Sequence, residues 1–204
     1  MADSIVTQDG VEQPRWVDWL DGAPGVALAL VWGFAEGTLF FVVPDVLISL
    51  AALMRPRRAW RHLLAAIFGA VLGGGLLFHW AESSPASAQR AVGQVPFVTT
   101  RMFDHVREGY RAHGMGAVYR GPLTGTPYKI YAVEAPEFVG RTAFLLATVP
   151  ARGERFLLVW IVFAVAGAAL RRYLGRTPSH IAPRHAAFWV LFYAFYWSRI
   201  ALER

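Results

Sequence analysis

The chain has 204 residues, 55% of them hydrophobic and 14% aromatic, and a formal net charge of +6. One soluble core of this size would not bury so much apolar side chain, so the composition favours a membrane protein. The absence of cysteine excludes disulfides, thiolate metal sites and cysteine catalysis. The charges cluster between apolar runs, which favours membrane topology over nucleic-acid binding as the reason for the basic balance.

The first twenty residues are polar and acidic, and they lack the basic start and apolar core of a cleaved signal peptide. Residues 15–20 place Trp16 and Trp19 beside apolar neighbours on one helix face. Tryptophan prefers the headgroup level of a bilayer, so this stretch is predicted to be a short interfacial helix. Residues 1–23 form the N-terminal polar segment.

The first apolar run covers residues 24–54. Its only charged side chains are Glu36 and Asp45. A straight helix of that length would reach about 46 Å, whereas the hydrocarbon core is about 30 Å thick. One interpretation is a tilted helix whose carboxylates face protein. The other is a re-entrant hairpin, with Gly37 and Pro44 as the residues that break the helix.

The middle of the chain predicts three further elements. Residues 63–82 form an apolar span in which Gly69 and Gly73 favour close helix contact. The polar loop 82–96 is placed outside the cytoplasm, opposite the arginine-rich stretch 55–61. Residues 98–113 alternate apolar and charged positions at helical spacing, which predicts an amphipathic helix along the membrane surface.

Residues 114–139 are too apolar for an exposed loop and predict a second broken element, with Gly121, Pro122 and Pro127 as breakers. An apolar run at 144–149 is interrupted at 150–155 and continues over 156–170. A last span covers 186 to about 198, and its aromatic residues are predicted to anchor it at the membrane interface: Trp189, Tyr193, Tyr196 and Trp197. The fold class is therefore all-α integral membrane, with two inverted re-entrant hairpins, about three to four transmembrane helices and the amphipathic surface helix. Arginines at 55–61 and 171–184 flank these spans as cytoplasmic loops do.

Residues 36–45 and 120–129 resemble each other. Both segments open with a charge and glycine, share a leucine, carry proline and close with a charge, acids in the first (Glu36, Asp45) and bases in the second (Arg120, Lys129). Matching broken segments in two halves indicate an inverted-repeat transporter with a site near the midplane. Ionisable residues inside a membrane are retained by pairing or by function. The four are predicted to neutralise one another, either for transport, in which a carboxylate takes up a proton, or as a structural ion-pair cluster.

Other polar residues give weaker indications. Arg152, Glu154 and Arg155 are interpreted either as an interfacial salt-bridge cluster or as headgroup contacts. The six histidines lack the spacing of zinc-binding helices, and the serines and glycines form neither an acyl-transfer site nor a phosphate loop. We expect no metal, no cofactor and no enzyme activity, with an intramembrane lipid-phosphate hydrolase as the enzyme to exclude.

The chain resembles the DedA family of bacterial membrane proteins, also called the VTT-domain or SNARE-associated Golgi protein family. The resemblance covers roughly residues 25–175. It rests on Glu36 through Ile48, the Gly-rich span at 69–75, Phe103 to Gly114, Arg120-Gly121-Pro122 with Pro127, Ala132 to Gly140, and Phe144 running on to Arg152 and Arg155.

That resemblance implies two facing re-entrant hairpins (about 24–54 and 114–139) within a membrane domain of residues 24–175, followed by a loop and C-terminal helix at 176–204. It also implies a multi-pass protein of the bacterial inner membrane that moves phospholipid or undecaprenyl phosphate between leaflets. The family's acids fall on Glu36 and Asp45, and its bases on Arg120 and Lys129. Lysine in place of the usual second arginine, a longer spacing between the bases and Ala135-Pro136 in place of Ala-Gly leave the substrate open.

The hypothesis from sequence is thus a lipid transporter whose partners are membrane lipids and protons. The alternative is a membrane scaffold with a sealed ion-pair core.

Overall fold

The computed structural model describes residues 4–6, 12–174 and 178–202, with side chains for 14–121, 125–173 and 180–199. Within these ranges the chain is almost entirely helical, as the sequence predicts. Two short strands pair antiparallel near the N-terminus, with Ile5 opposite Gln13. In chain order the elements are β1 (Ser4–Val6), β2 (Glu12–Pro14), α1 (Arg15–Asp21), α2 (Ala23–Thr38), α3 (Asp45–Met54), α4 (Pro56–Ser83), α5 (Pro85–Gly93), α6 (Thr100–His113), α7 (Gly116–Thr124), α8 (Tyr128–Glu134), a 3-10 turn (Ala135–Glu137), α9 (Arg141–Leu174) and α10 (Pro178–Leu202).

Within the described chain, α4 and α9 are the two helices found long and apolar enough to cross a membrane, by length and composition. They have 28 and 34 residues, which corresponds to about 42 and 51 Å, more than the hydrocarbon core of about 30 Å. The prediction of an all-α chain with membrane-length helices is confirmed to this extent.

Three segments differ from the prediction. α9 runs without interruption through Pro150, so the predicted break at 150–155 is wrong. The helix continues because Arg152 and Arg155 meet carboxylate partners and need no exit to solvent. The polar stretch 82–96, predicted to be a loop, contains α5, and α10 begins before the predicted span.

α2 packs lengthwise against α4 through small residues. A Cβ on Gly33 would lie 2.2 Å from the Ala66 carbonyl oxygen, and one on Gly69 would lie 2.1 Å from that of Leu30. Neither position can hold a larger side chain unless the helices separate. The predicted close contact at Gly69 and Gly73 is confirmed, since a Cβ on Gly73 would lie 2.5 Å from the Phe34 carbonyl oxygen.

The first helix break lies at residues 39–44, between α2 and α3, and Pro44 is the residue before α3. The prediction that Gly37 breaks the helix is wrong. Gly37 lies inside α2, where a Cβ would be 3.1 Å from the Ala70 carbonyl oxygen. Because glycine has no side chain, α2 can pack closely against α4 at this position.

The second break lies at residues 125–127, between α7 and α8. Gly125 has φ 75°, a left-handed conformation that glycine adopts without strain, and Pro127 immediately precedes α8. Gly121 and Pro122 lie inside α7 and are not the breakers. Gly121 instead allows the Tyr131 ring to pack closely, since a Cβ at this position would be 2.6 Å from a ring carbon. The Pro122 side chain lies outside the described part of the structure.

The amphipathic pattern at 98–113 forms α6, and its apolar residues Phe103, Val106 and Tyr110 are buried. They belong to one hydrophobic cluster with residues of α7 and α8, such as Val118 and Tyr131. Protein therefore covers the face that the sequence assigned to a membrane surface. On the other face, Arg107 donates to the buried carboxylate of Glu134 at 2.7 Å.

Asp21, the last residue of α1, fastens the N-terminal helix to the start of α4. Its carboxylate accepts from Arg55 at 2.9 Å and from Arg58 at 2.6 Å, and Arg61 donates to its backbone oxygen at 2.5 Å. Burial alone would raise the pKa of the Asp21 carboxyl. The hydrogen bonds and charges of Arg58 and Arg55 outweigh that effect and hold the pKa below its ordinary value.

We expect Asp21→Asn to destabilise the chain by about 1–2 kcal/mol at neutral pH, because the arginine partners are partly exposed and screened. A carboxyl with a lowered folded-state pKa stabilises the fold above the unfolded pKa and loses that contribution as the pH falls through the folded value. The stability difference between native chain and variant should therefore shrink below about pH 4. Thermal unfolding followed by tryptophan fluorescence measures this; a difference that does not change with pH would contradict it.

Candidate functional site

Five ionisable side chains meet beside the first helix break. Glu36 lies in the last turns of α2, Asp45 begins α3, Lys129 lies on α8, and Arg152 and Arg155 lie on α9. We call these five residues the charge cluster. The four other than Arg155 are between 2% and 3% exposed. Charges this deep require partners, because an unpaired buried charge is strongly destabilising.

Glu36 and Arg152 form the deepest ion pair. The Arg152 Nη2 atom donates to Glu36 Oε2 at 2.5 Å. The guanidinium also lies 4.7 Å from the ring centroid of Phe156 and 5.2 Å from that of Tyr128, both within cation–π range. Lys129 Nζ is 3.9 Å from Glu36 Oε1, which is too long for a hydrogen bond.

Asp45 and Arg155 form the second pair. Arg155 donates to Asp45 Oδ2 through Nε at 2.8 Å, and its Nη2 atom lies 2.6 Å from the same oxygen as part of the ion pair. Asp45 Oδ1 and Arg152 Nε are buried without a hydrogen-bond partner among the described residues. Such atoms are usual where water or a ligand completes a site.

Four residues of the charge cluster line a cavity of about 280 Å³. These are Glu36, Lys129, Arg152 and Arg155. The same cavity is lined by a group of aromatic residues that we call the aromatic wall: Phe41, Phe97, Phe192, Tyr193, Tyr196 and Trp197. A cavity lined by both charged and aromatic side chains suits an amphipathic ligand.

Two aromatic residues in this wall stack closely. Phe97 has φ 68°, a strained value for a residue with a side chain. Its ring stacks on Trp197 with centroids 4.9 Å apart and planes 5° apart, and Phe41 packs on the same indole at 5.4 Å. Residues from the first break, the loop before α6 and α10 thus close one side of the cavity.

α10 also fixes the backbone at both helix breaks. The Val43 N–H donates to the Tyr193 hydroxyl at 2.9 Å, and the Tyr196 hydroxyl donates to the Gly125 carbonyl oxygen at 3.1 Å. Both bonds satisfy backbone groups that the interrupted helices leave free. The sequence assigns these tyrosines to the membrane interface as anchors, whereas here they line the cavity.

The depth of the cluster follows from the helix contacts. Gly37, next to Glu36, packs against Ala70 and Gly73, which lie near the middle of α4. The ion pairs are therefore far from both ends of this membrane-length helix.

The predicted site residues divide into two groups. Glu36, Asp45 and Lys129 come together as predicted. Arg120 does not join them: it is exposed on α7 and contacts His113, with Nη1 2.6 Å from the ring Nε2. The expected neutralisation by Arg120 is wrong, and Arg152 and Arg155 take its place.

The sequence groups Arg152 and Arg155 with Glu154, as an interfacial salt-bridge cluster or as headgroup contacts. In the structure Glu154 is exposed and lies outside the charge cluster. A sequence signal for their role exists. Two arginines three residues apart share a helix face, and inside an apolar run they require acidic partners from elsewhere in the chain.

Three polar contacts were not predicted. The Tyr128 hydroxyl bonds Thr148 Oγ1 at 2.8 Å beneath the Arg152 guanidinium. Near α10, the Ser49 hydroxyl lies 2.8 Å from His185 Nε2, and Trp189 Nε1 donates to Ser49 Oγ at 3.0 Å. Within the described residues, no group of three or more histidine or acidic side chains is placed to hold a metal ion.

The site contains two closed ion pairs, one lysine without a hydrogen-bonded acid, and an aromatic wall. This arrangement can bind an anion beside an aromatic surface. Comparisons with protein families, with curated proteins and with solved structures find no match to this chain.

Proposed function

We propose that the chain is a membrane protein of the DedA type that moves a lipid or lipid-linked phosphate between leaflets. The observation that carries the proposal is the cavity itself, which is lined by three bases and by the aromatic wall. Phosphate binds cationic donors, whereas the glycerol and acyl parts of a lipid bind apolar surface. Phospholipid and undecaprenyl phosphate both have this character.

The outer surface supports a membrane setting. Exposed apolar side chains recur every four residues along one face of α4, at Trp60, Leu64, Phe68, Leu72 and Leu76. The exposed faces of α9 and α10 are also apolar, with Leu158, Val165, Val190, Leu191 and Phe195 each more than half exposed. A continuous apolar surface of this extent requires cover by lipid or protein.

The interrupted elements support two re-entrant hairpins, α2 with α3 and α7 with α8. The helices α3, α7 and α8 have 10, 9 and 7 residues. They reach at most about 15 Å, half of the hydrocarbon core. Irregular backbone at membrane depth is tolerated where it faces a cavity or protein, and both breaks contribute residues to the cavity.

The arginine-rich segments support an orientation. The Arg171 Nη1 atom donates to the Leu53 carbonyl oxygen at 2.5 Å, so the end of α9 lies beside the end of α3. Arginines 55–61 and 171–172 are therefore at one end of the molecule. We assign this end to the cytoplasm of a bacterial inner membrane, since basic residues collect there.

In this proposal the roles within the charge cluster differ. Lys129 and Arg155, which line the cavity, bind the phosphate. Glu36 and Asp45 hold Arg152 and Arg155 in position and balance their charge. Arg120 is given no role in transport.

A second candidate is a membrane scaffold that transports nothing. The short distances in both ion pairs favour it, because Glu36 and Arg152 already satisfy each other at 2.5 Å. Such a core would set the register of the hairpins and have no further activity.

The test uses the purified chain in liposomes that contain a fluorescent phospholipid in both leaflets. A membrane-impermeant reductant quenches the outer half of the signal in vesicles without translocation. The proposal predicts quenching well beyond half with the native chain and half with Glu36→Gln. Quenching that stops at half with the native chain excludes a general phospholipid transporter and leaves the polyprenyl-phosphate carrier or the scaffold.

A further inference from the structure

With all five of its groups ionised, the charge cluster would hold one positive charge in excess. Its two acids, Glu36 and Asp45, face three bases, Lys129, Arg152 and Arg155. Each acid accepts a hydrogen bond from an arginine, whereas Lys129 Nζ remains 3.9 Å from the Glu36 carboxylate. Lys129 is 2% exposed and faces the cavity. An uncompensated ammonium ion is costly in such a place.

Only one of the three bases can relieve this excess by losing a proton. Arginine stays protonated in proteins, whereas a buried lysine changes its protonation state readily. The cluster becomes neutral when Lys129 is an uncharged amine. It also becomes neutral when Lys129 is an ammonium ion and one negative charge enters the cavity.

We propose that Lys129 is an uncharged amine in the empty cavity and takes up one proton from solvent when a phosphodiester monoanion binds there. The new ammonium group then donates to a phosphoryl oxygen, and the anion keeps its single charge. The proton and the anion thus enter the cavity together, and their charges cancel. This inference rests on the proposed function, because it assigns a lipid phosphate or its free headgroup to the cavity.

The surroundings of Lys129 fit this role. The ionisable groups around it lie on four helices and comprise Glu36 on α2, Tyr128 and Tyr131 on α8, Arg152 and Arg155 on α9, and Tyr193 and Tyr196 on α10. Both acids of the charge cluster are held by arginine. The transferable proton is therefore placed on Lys129, and not on Glu36 or Asp45 as the sequence suggested.

The experiment uses the fact that Lys129 is the only lysine in the chain. A full-length chain labelled with ¹³C-lysine gives one Cε signal, and its chemical shift distinguishes the amine from the ammonium ion. The probes are dimethyl phosphate and dihexanoyl phosphatidylglycerol, which carry one negative charge throughout the neutral range. Any proton taken up therefore belongs to the protein.

In an uncharged detergent at about pH 8, below the ordinary lysine pKa of about 10.4, we expect the amine signal without probe and the ammonium signal with probe. A response to both probes shows that the phosphodiester group alone is enough to cause the proton uptake. A response to the lipid alone shows that the ligand of the cavity is a lipid and not a free phosphodiester. An ammonium signal without probe, an amine signal at saturation, or no binding of either probe would overturn the inference.

Two variants separate the effect of a positive charge at position 129 from the effect of proton uptake. The number of protons taken up is measured by calorimetry in buffers of different ionisation enthalpy. Lys129→Arg should bind the responding probe without taking up a proton, and Lys129→Gln should bind at least about tenfold more weakly. Equal uptake by Lys129→Arg and the native chain would refute the inference. Lipid movement in vesicles is measured separately: a Lys129 response without lipid movement refutes only the proposed function, and lipid movement without the response refutes only the inference.

Discussion

Replacing Arg152 with Met should destabilise the chain by about 3–5 kcal/mol, because it removes the partner of the buried Glu36 carboxylate. The stem of methionine fills similar space between Tyr128 and Phe156, so the effect comes mainly from charge. The apparent melting temperature in detergent, read by tryptophan fluorescence, measures the loss.

The double variant Glu36→Gln with Arg152→Met should recover most of that stability. Replacing both members of a buried ion pair with neutral side chains is often close to neutral, whereas removing one member is not. Arg120→Gln is the matched control, since it removes an arginine that is exposed on α7. Its effect should be below about 0.5 kcal/mol. A double variant as unstable as Arg152→Met would contradict the account.

Gly69→Leu should destabilise the contact between α2 and α4 by at least about 3 kcal/mol, since backbone clashes exceed the usual cost of overpacking. A Cβ at this position would stand 2.1 Å from the Leu30 carbonyl oxygen and 2.7 Å from the Phe34 nitrogen. The helices must separate to admit it. Because Glu36 lies on the displaced helix, lipid movement should be lost as well. Thermal unfolding and the vesicle assay measure the two effects.

Gly93→Leu is the control for this substitution. Gly93 ends α5, and a Cβ there would have no atom within 4 Å. Its stability should change by less than about 1 kcal/mol. Equal losses at Gly69 and Gly93 would show that the α2–α4 contact does not limit stability.

The acids of the site could be predicted from the sequence because they are conspicuous. Glu36 and Asp45 stand within an apolar run with no nearby base, so their need for partners is visible without a structure. The first break was also predicted to within a few residues, since Pro44 and the excess length both require one. These features depend on local chemistry.

The partners of the acids could not be predicted in this way. Arg152 lies 116 residues from Glu36, and Arg155 lies 110 residues from Asp45, so only tertiary packing brings them together. The similarity between 36–45 and 120–129 gives the position of Arg120 in the sequence, but it does not show which face of a helix carries the side chain. In α7 that face is exposed.

The aromatic wall was missed for a related reason. Tyr193, Tyr196 and Trp197 have the composition of an interfacial belt, and periodicity alone does not show whether a face is directed toward lipid or protein. Their direction is set by contacts with both helix breaks, at Val43 and Gly125.

The central claim is that the charge cluster serves transport and is dispensable for folding. The most direct measurement is lipid movement in vesicles by the Glu36→Gln, Arg152→Met double variant, beside its melting temperature. The account predicts a melting temperature near that of the native chain and quenching that stops at half. Quenching well beyond half by this variant would contradict the account, because lipid would then cross without the Glu36–Arg152 ion pair at the centre of the charge cluster.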